Sequence, residues 1–509
     1  MIGIAKSDNK RIAKNTLFLY FRMLLVMGVS LFTTRIVLKT LGVEDFGIFN
    51  VVGGIVVMFS FLSSTMSSAS QRFFAIELGR ENYERLNQVF SLTMLIYAAL
   101  SLVIILCAET IGLWFLNTQM TIPQERLVAA NWVYQFSILS FVVTIMMIPY
   151  HAAVIVQEDM KAFALISVVE VLLKLGVVYL LLLFDIDKLK LYAILIFSVT
   201  VIIQGSYYFF CKKHYSSYNF TFYVEKRIFL DMLGFAGWNM IGALAHILRS
   251  QGVNILLNMF FNPAINAARA VAYQVNSAIS NFVNNFYMAV RPQIFKKYSA
   301  GEIEGMHDLV LNSARYAYLL MFVIVTPVFF ETDYVLSLWL KNVPNYTVLF
   351  TRLVLANALL EVFNNPLVTA IQANGNIRNY QLIVSVVNLL NIPISYVLLK
   401  MGYPPETVLY VTIGLVIINF IPRLLLCKKI VSLSIRRFLT EVMLKVLLCS
   451  CFAVVLIECL KKTTQLHSLI FMVVELMISI LVAIFVGVSR SERRQGLLFF
   501  RKRIADVFS

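Results

Sequence analysis

The chain has 509 residues, is 60% hydrophobic and only 14% charged, and carries a formal net charge of +16 with a mean hydropathy of +0.81. Soluble domains run nearer roughly 45–50% apolar and about 25% charged, so a water-soluble enzyme is excluded and lipid is the solvent this composition fits. The basic residues sit at the ends of apolar segments rather than on one compact face, which marks membrane topology facing anionic lipid instead of nucleic-acid binding.

Residues 1–14 are polar, with Lys6, Lys10, Arg11 and Lys14, and the apolar run after them has full span length and no small-residue cleavage site, so no removable signal is expected. Apolar windows then predict helices near 15–38, 46–70, 89–115, 127–156, 162–184, 191–210, 233–261, 264–290, 309–330, 347–371, 379–399, 404–426, 440–460 and 468–488. At about 20 residues each, these spans leave no room for a soluble domain. With the N-terminus in the cytoplasm, the inside segments hold 26 Lys and Arg against eight outside, a bias that fits both ends inside. The tail after Ser489 alternates basic and apolar blocks, as a helix lying on the inner leaflet would.

Pro149 to Leu182 aligns without gaps on Pro366 to Leu399, with ten identities in 34 positions at an offset of 217, among them Pro149/Pro366, Ala153/Ala370, Leu173/Leu390 and Tyr179/Tyr396. Leu113 to Asn117 matches Leu338 to Asn342 at the outer end of a third helix in each half. Six helices are therefore duplicated, and an even number per copy makes the repeat parallel, the layout of two lobes that rock about a site between them. The expected organisation is a cytoplasmic N-terminus (1–14), an N-lobe (15–210), a cytoplasmic linker (211–232), a C-lobe (233–426), two further helices (440–488) and a basic cytoplasmic tail (489–509). This is an all-α polytopic membrane protein of about 14 transmembrane helices, two parallel six-helix lobes plus two C-terminal helices.

Nine basic residues fall inside the predicted spans, each at about 2.5–3.5 kcal/mol or more at mid-depth unless paired or facing water. Lys174 and Lys445 follow Glu170 and Glu441 by four residues and are expected to pair within their helices, while Arg35, Arg352 and Arg423 lie within reach of an interface. Arg315 also falls in a span. Arg249 lies deep in its helix with no acid within four residues, beside a polar stripe of Asn239, His246, Ser250, Asn254 and Asn258. The next helix repeats that pattern with Arg269, Tyr273, Asn276, Ser280 and Asn284, and Arg22 is too deep in the first helix to snorkel comfortably. Arg22, Arg249, Arg269, Asn254, Asn258, Tyr273 and Asn276 are the candidate cavity residues. Guanidinium forks match phosphate oxygens at any physiological pH, and Asn, Ser and Tyr offer the neutral donors and acceptors that a sugar needs. Glu361 is the clearest unpaired spanning acid, suited to proton or sodium coupling or to pairing with Arg352 or a neighbouring helix. No resident cofactor or metal is called for: the six cysteines show no C-x-x-C spacing, and the five histidines are scattered.

The segment from Asn15 through Arg35 to Asn50, with Leu41, Gly42, Phe46 and Gly47 forming an L-G-x-x-x-F/Y-G turn, resembles the first two helices of the oligosaccharide-lipid flippases for O-antigen and related polysaccharides. Their superfamily includes the multidrug and toxin extruders (MATE) and the lipid II flippase. The resemblance implies transport of an undecaprenyl-diphosphate-linked oligosaccharide from the inner to the outer leaflet of a bacterial cytoplasmic membrane. Polymerases and glycosyltransferases of the same pathway are the implied partners, beside membrane lipid. Arg22 and Arg269 fall on helices where the lipid II flippase carries functional arginines, and the last two helices match that flippase in number. A cation-coupled multidrug extruder of the same fold is the alternative, though an arginine-weighted path suits anions. A membrane polymerase is the other; it is disfavoured by short loops, and the lone Asp185-Ile-Asp187 reads as a turn.

Overall fold

The computed structural model describes residues 15–29, scattered positions between 33 and 52, and residues 60–118, 123–184, 186–261, 263–340, 343–463, 467–489 and 492–493. Among these the regular structure is entirely helical. The helices are α1 (Asn15–Val29), α2 (Ser60–Gly79), α3 (Tyr83–Cys107), α4 (Leu113–Thr118), α5 (Leu127–Val156), α6 (Met160–Leu183), α7 (Lys188–His214), α8 (Lys226–Phe260), α9 (Pro263–Ser299) and α10 (Ile303–Phe330). They continue as α11 (Thr332–Trp339), α12 (Thr347–Glu361), α13 (Asn364–Asn374), α14 (Arg378–Leu389), α15 (Asn391–Lys400), α16 (Thr407–Val431), α17 (Ile435–Phe438), α18 (Leu444–Thr463) and α19 (Ser468–Val482). Among the described residues, eleven helical stretches are long and apolar enough to cross a membrane, and α1 is a shorter apolar helix.

Local chemistry sets the ends. Asn82, Asp159 and Asp187 cap α3, α6 and α7 by accepting from backbone N–H groups of the first turn. Lys212, Lys213 and His214 complement the C-terminal dipole of α7. Helices run past several expected boundaries, furthest at two of them. Residues 71–79, expected as a cytoplasmic segment, continue α2, and residues 291–299 continue α9, because hydropathy windows stop where polar residues begin while the backbone carries on. Arg72 on that extension is buried between the rings of Phe73 and Phe235, 4.9 Å from each. Gly79 ends α2 where a Cβ would lie 2.9 Å from the backbone carbonyl of Lys296, an approach only glycine permits.

The chain divides into two compact units, one of residues 1–243 with 288–302, the other of residues 244–287 with 303–509. The first has a core around Val133, Tyr134, Ile138 and Leu116. In the second, Val253, Leu257, Phe350 and Leu409 pack together. The duplication is visible inside each unit, with the cysteine pair shifted by one residue from the aligned offset. In the first, the Cys211 thiol donates to the Tyr150 carbonyl at 3.5 Å; in the second, the Cys427 thiol donates to the Leu367 carbonyl at 3.4 Å. Tyr150 and Leu367 are one residue past Pro149 and Pro366, the aligned prolines. The turn after each of those helices also matches, since Glu158 (φ 62°) and Gly375 (φ 91°) occupy the same left-handed position. In the first copy the Glu158 carboxylate is taken up by Gln293 at 2.5 Å and Lys296 at 2.6 Å, and its carbonyl by Asn15 at 3.1 Å.

Candidate functional site

A helix break builds the centre of the second unit. Pro366, in the first turn of α13, has no N–H for the carbonyl four residues back, so α12 stops at Glu361 and the Val362 carbonyl is left without its helical donor. The Tyr287 hydroxyl of α9 fills that role at 2.6 Å, which satisfies the backbone at membrane depth. Around the break, Glu361, Asn364 and Asn365 are released from regular stacking. Together with His246 and Arg249 of α8, Asn276, Ser280 and Asn284 of α9, Asn388 of α14, and Asn419 and Arg423 of α16, they line a cavity of about 290 Å³.

The charges in this cavity are unevenly matched. Arg249, 9% exposed, reaches Glu361 Oε1 through Nη2 and Asn388 Oδ1 through Nη1, both at 3.4 Å. Asn388 Oδ1 also accepts from Asn419 Nδ2 at 3.3 Å, and Ser280 donates to Asn276 at 3.1 Å. Arg423 is 8% exposed, and its Nε and Nη1 are buried with no hydrogen-bond partner. Two guanidinium groups therefore face one carboxylate, and a buried donor without an acceptor is a standing penalty that an anion would remove.

The expected residues fall into separate groups. Arg249, Asn276 and Glu361 converge on the cavity. Arg269 instead bridges α9 to α8: it donates to Asn254 Oδ1 at 3.5 Å and to the Ser250 carbonyl at 3.2 Å, with its guanidinium 4.5 Å over the Tyr273 ring. Arg22 belongs to the first unit, where its guanidinium lies 4.7 Å over Phe163, near Tyr207 and Glu170. The side chain of Asn258 lies outside the described residues, as do Arg35, Asp185 and the tail from residue 494.

Several pairings turn out otherwise than expected. Arg423 lines the cavity instead of reaching an interface, because α16 turns that face toward α13 and α14. Of the alternatives for Glu361, the pairing found is the one with another helix, to Arg249 of α8, while Arg352 pairs with Asp333 at 2.9 Å near the end of its helix. Glu441 is bound by Arg437 at 2.9 Å, a partner four residues before it rather than Lys445 four after. Lys174 pairs with Glu170 at 2.6 Å as expected. Arg315 pairs with Glu492, beyond the last helix. Burial pushes the Glu492 carboxyl up, but the Ser489 hydroxyl and N–H, with Arg315, together hold it below its usual range. Asn388 and Asn419 escaped the sequence reading, and Arg423 was read as reaching an interface, because each stands among apolar neighbours in the sequence. The signal present was spacing, since Asn419 and Arg423 are one turn apart on α16.

Comparison with known proteins places this architecture. Residues 12–297 match the model of the family described as polysaccharide biosynthesis protein. The uncharacterized membrane protein EpsK of Bacillus subtilis (strain 168) is 24% identical over 305 residues, 58% of this chain and 59% of that protein. The chain thus spans about three fifths of the length of the curated relative it matches. Among solved structures, MATE in complex with MaD3S is similar with a TM-score of 0.70 at 14% identity, over 84% of this chain and 97% of that one. The outward-facing conformation of a multidrug resistance MATE family transporter of the MOP superfamily gives 0.68 at 15% identity, over 83% and 96%. At that identity the likeness is one of fold.

Proposed function

Because the chain belongs to the polysaccharide biosynthesis protein family and is a multi-pass membrane protein with the fold of MATE transporters, we propose that it flips a polyprenyl-diphosphate-linked oligosaccharide, by alternating access, from the inner to the outer leaflet of the cytoplasmic membrane. Both termini lie in the cytoplasm in this scheme, and the enzymes that build and polymerise the glycan are its neighbours. The observation that carries the proposal is the cavity of the second unit, where Arg249 and Arg423 both line the wall and Glu361, paired with Arg249, is the one carboxylate among the lining residues. The two contacts of Arg249 are long, so phosphate oxygens can take over its fork with little lost, and they would supply the acceptors that Arg423 lacks. The asparagines around them present both donors and acceptors to sugar hydroxyls. A cationic drug would meet the opposite balance of charge.

The test is leaflet exchange in liposomes, with an added glycosidase that cuts only outer-leaflet cargo. Wild type should permit complete digestion, and Arg249→Ala only the half that empty liposomes permit. A fully active Arg249→Ala would overturn the cavity assignment. Failure of wild type with and without an imposed proton or sodium gradient would overturn the cargo class and favour a multidrug substrate.

A further inference from the structure

Outside the duplicated helices, Glu475 sits on α19, seven residues or about 10 Å from the start of that helix. It is 0% exposed, and both carboxylate oxygens are buried with no hydrogen-bond partner. An ionised carboxylate held dry without a donor is among the least favourable arrangements in a membrane protein, and an acid inside a span points to function. The groups that act on it electrostatically are Glu331, just past the end of α10, and Lys461, near the end of α18. Lys461 donates to Glu331 Oε1 at 2.9 Å, so two acids share one ammonium. Of the other groups on the packed helices, Tyr318 bonds Ser450, Arg315 pairs with Glu492, and His467 lies against the ring of Tyr334. The Lys461 side chain is 45% exposed, which opens the cluster to the face where α10 and α18 end, the outer face in the proposed orientation.

We propose that Glu475, with Glu331 and Lys461, is a proton-binding site, and that the proton it takes from the outer face is the coupling ion of transport. With the proton on Glu475, the pair Lys461–Glu331 balances charge and the buried acid is neutral. When the O–H bond breaks and the proton passes to water, Lys461 is the only ammonium in the cluster and must be shared with the new carboxylate, which pulls α18, α19 and the end of α10 together. The coupling half of the proposal rests on the transport function above; the proton-binding half does not.

Infrared difference spectroscopy on the purified full chain at neutral pH should show a carboxylic C=O stretch that shifts in heavy water, is lost in Glu475→Gln, and is kept at a shifted frequency in Glu475→Asp. The same band in wild type and Glu475→Gln would overturn the site, whatever the cargo. In liposomes, an imposed proton gradient should stimulate wild-type flipping, and Glu475→Gln should abolish that stimulation. Stimulation of Glu475→Gln equal to that of wild type would overturn the coupling. Wild-type liposomes that flip nothing would strike the transport function, and the infrared result would still decide the site.

Discussion

At the level of single residues, the cavity and the helix geometry make separate demands. Arg423 is the sharper probe of the cavity, since its Nε and Nη1 have no acceptor. Arg423→Lys keeps the charge but loses the planar fork, so flipping should fall at least tenfold, about 1.4 kcal/mol, while insertion is unaffected. An unchanged flipping rate would show that Arg423 faces no anion. Helix geometry is probed at Gly112, the last residue of a π turn spanning Ala108–Gly112, where the Tyr134 hydroxyl donates to the Ala108 carbonyl at 2.8 Å. A Cβ at Gly112 would lie 1.9 Å from that hydroxyl oxygen. Gly112→Ala should therefore destabilise by about 1–3 kcal/mol, and Tyr134→Phe should recover part of the loss in the double variant, as read by thermal unfolding in detergent. Of these residues, Arg249, Asn276 and Glu361 were legible as polar letters in apolar runs. The gap at Arg423 was not, because a basic residue within a few turns of a helix end reads equally as a snorkelling side chain.

At the level of elements, the turns between helices hold much of the specificity. Glu158 keeps a left-handed backbone that in the second copy belongs to Gly375, a conformation costing about 1 kcal/mol for a residue with a Cβ. It is retained because its carboxylate, 1% exposed at the side chain, meets Lys296 and Gln293. Lys296→Ala should then cost about 3 kcal/mol by taking the ammonium from a buried carboxylate, and Glu158→Gly should cost less because the backbone relaxes. Thermal unfolding should rank Lys296→Ala as the less stable of the two. A second tether is exposed and acts through pH: Arg85 donates to Glu225 at 2.6 Å and 3.0 Å, and those hydrogen bonds hold the Glu225 carboxyl below its ordinary 4.5. A carboxyl depressed on folding adds stability above its unfolded pKa and loses it as the pH falls through the folded one. The stability difference between wild type and Glu225→Gln should thus be present at neutral pH and shrink as the pH falls below 4.5. A difference constant across that range would remove the pair from the account of stability.

Over the whole molecule, composition and apolar windows were enough to call the membrane fold, since helices such as α16 and α19 are long apolar runs interrupted by few polar residues. The helix hardest to read as a span was α9, whose 37 residues carry a polar stripe and two lysines in the last turn. The contacts of Arg249 in the cavity join residues more than a hundred positions apart, to Glu361 and Asn388, and no local pattern encodes them. The internal repeat was legible only as scattered identities, yet it holds down to single atoms in the paired thiol contacts of Cys211 and Cys427.

The duplicated turn also constrains how the family can drift. A lineage with glycine at position 158 gains an easy backbone but takes the carboxylate from Lys296, and one that loses Lys296 first takes the ammonium from the acid. Neither step is neutral alone, so the two positions should be inherited as a pair. Natural relatives with glycine at 158 are expected to carry an uncharged residue at 296, and a survey of their sequences would show the two states exchanging together.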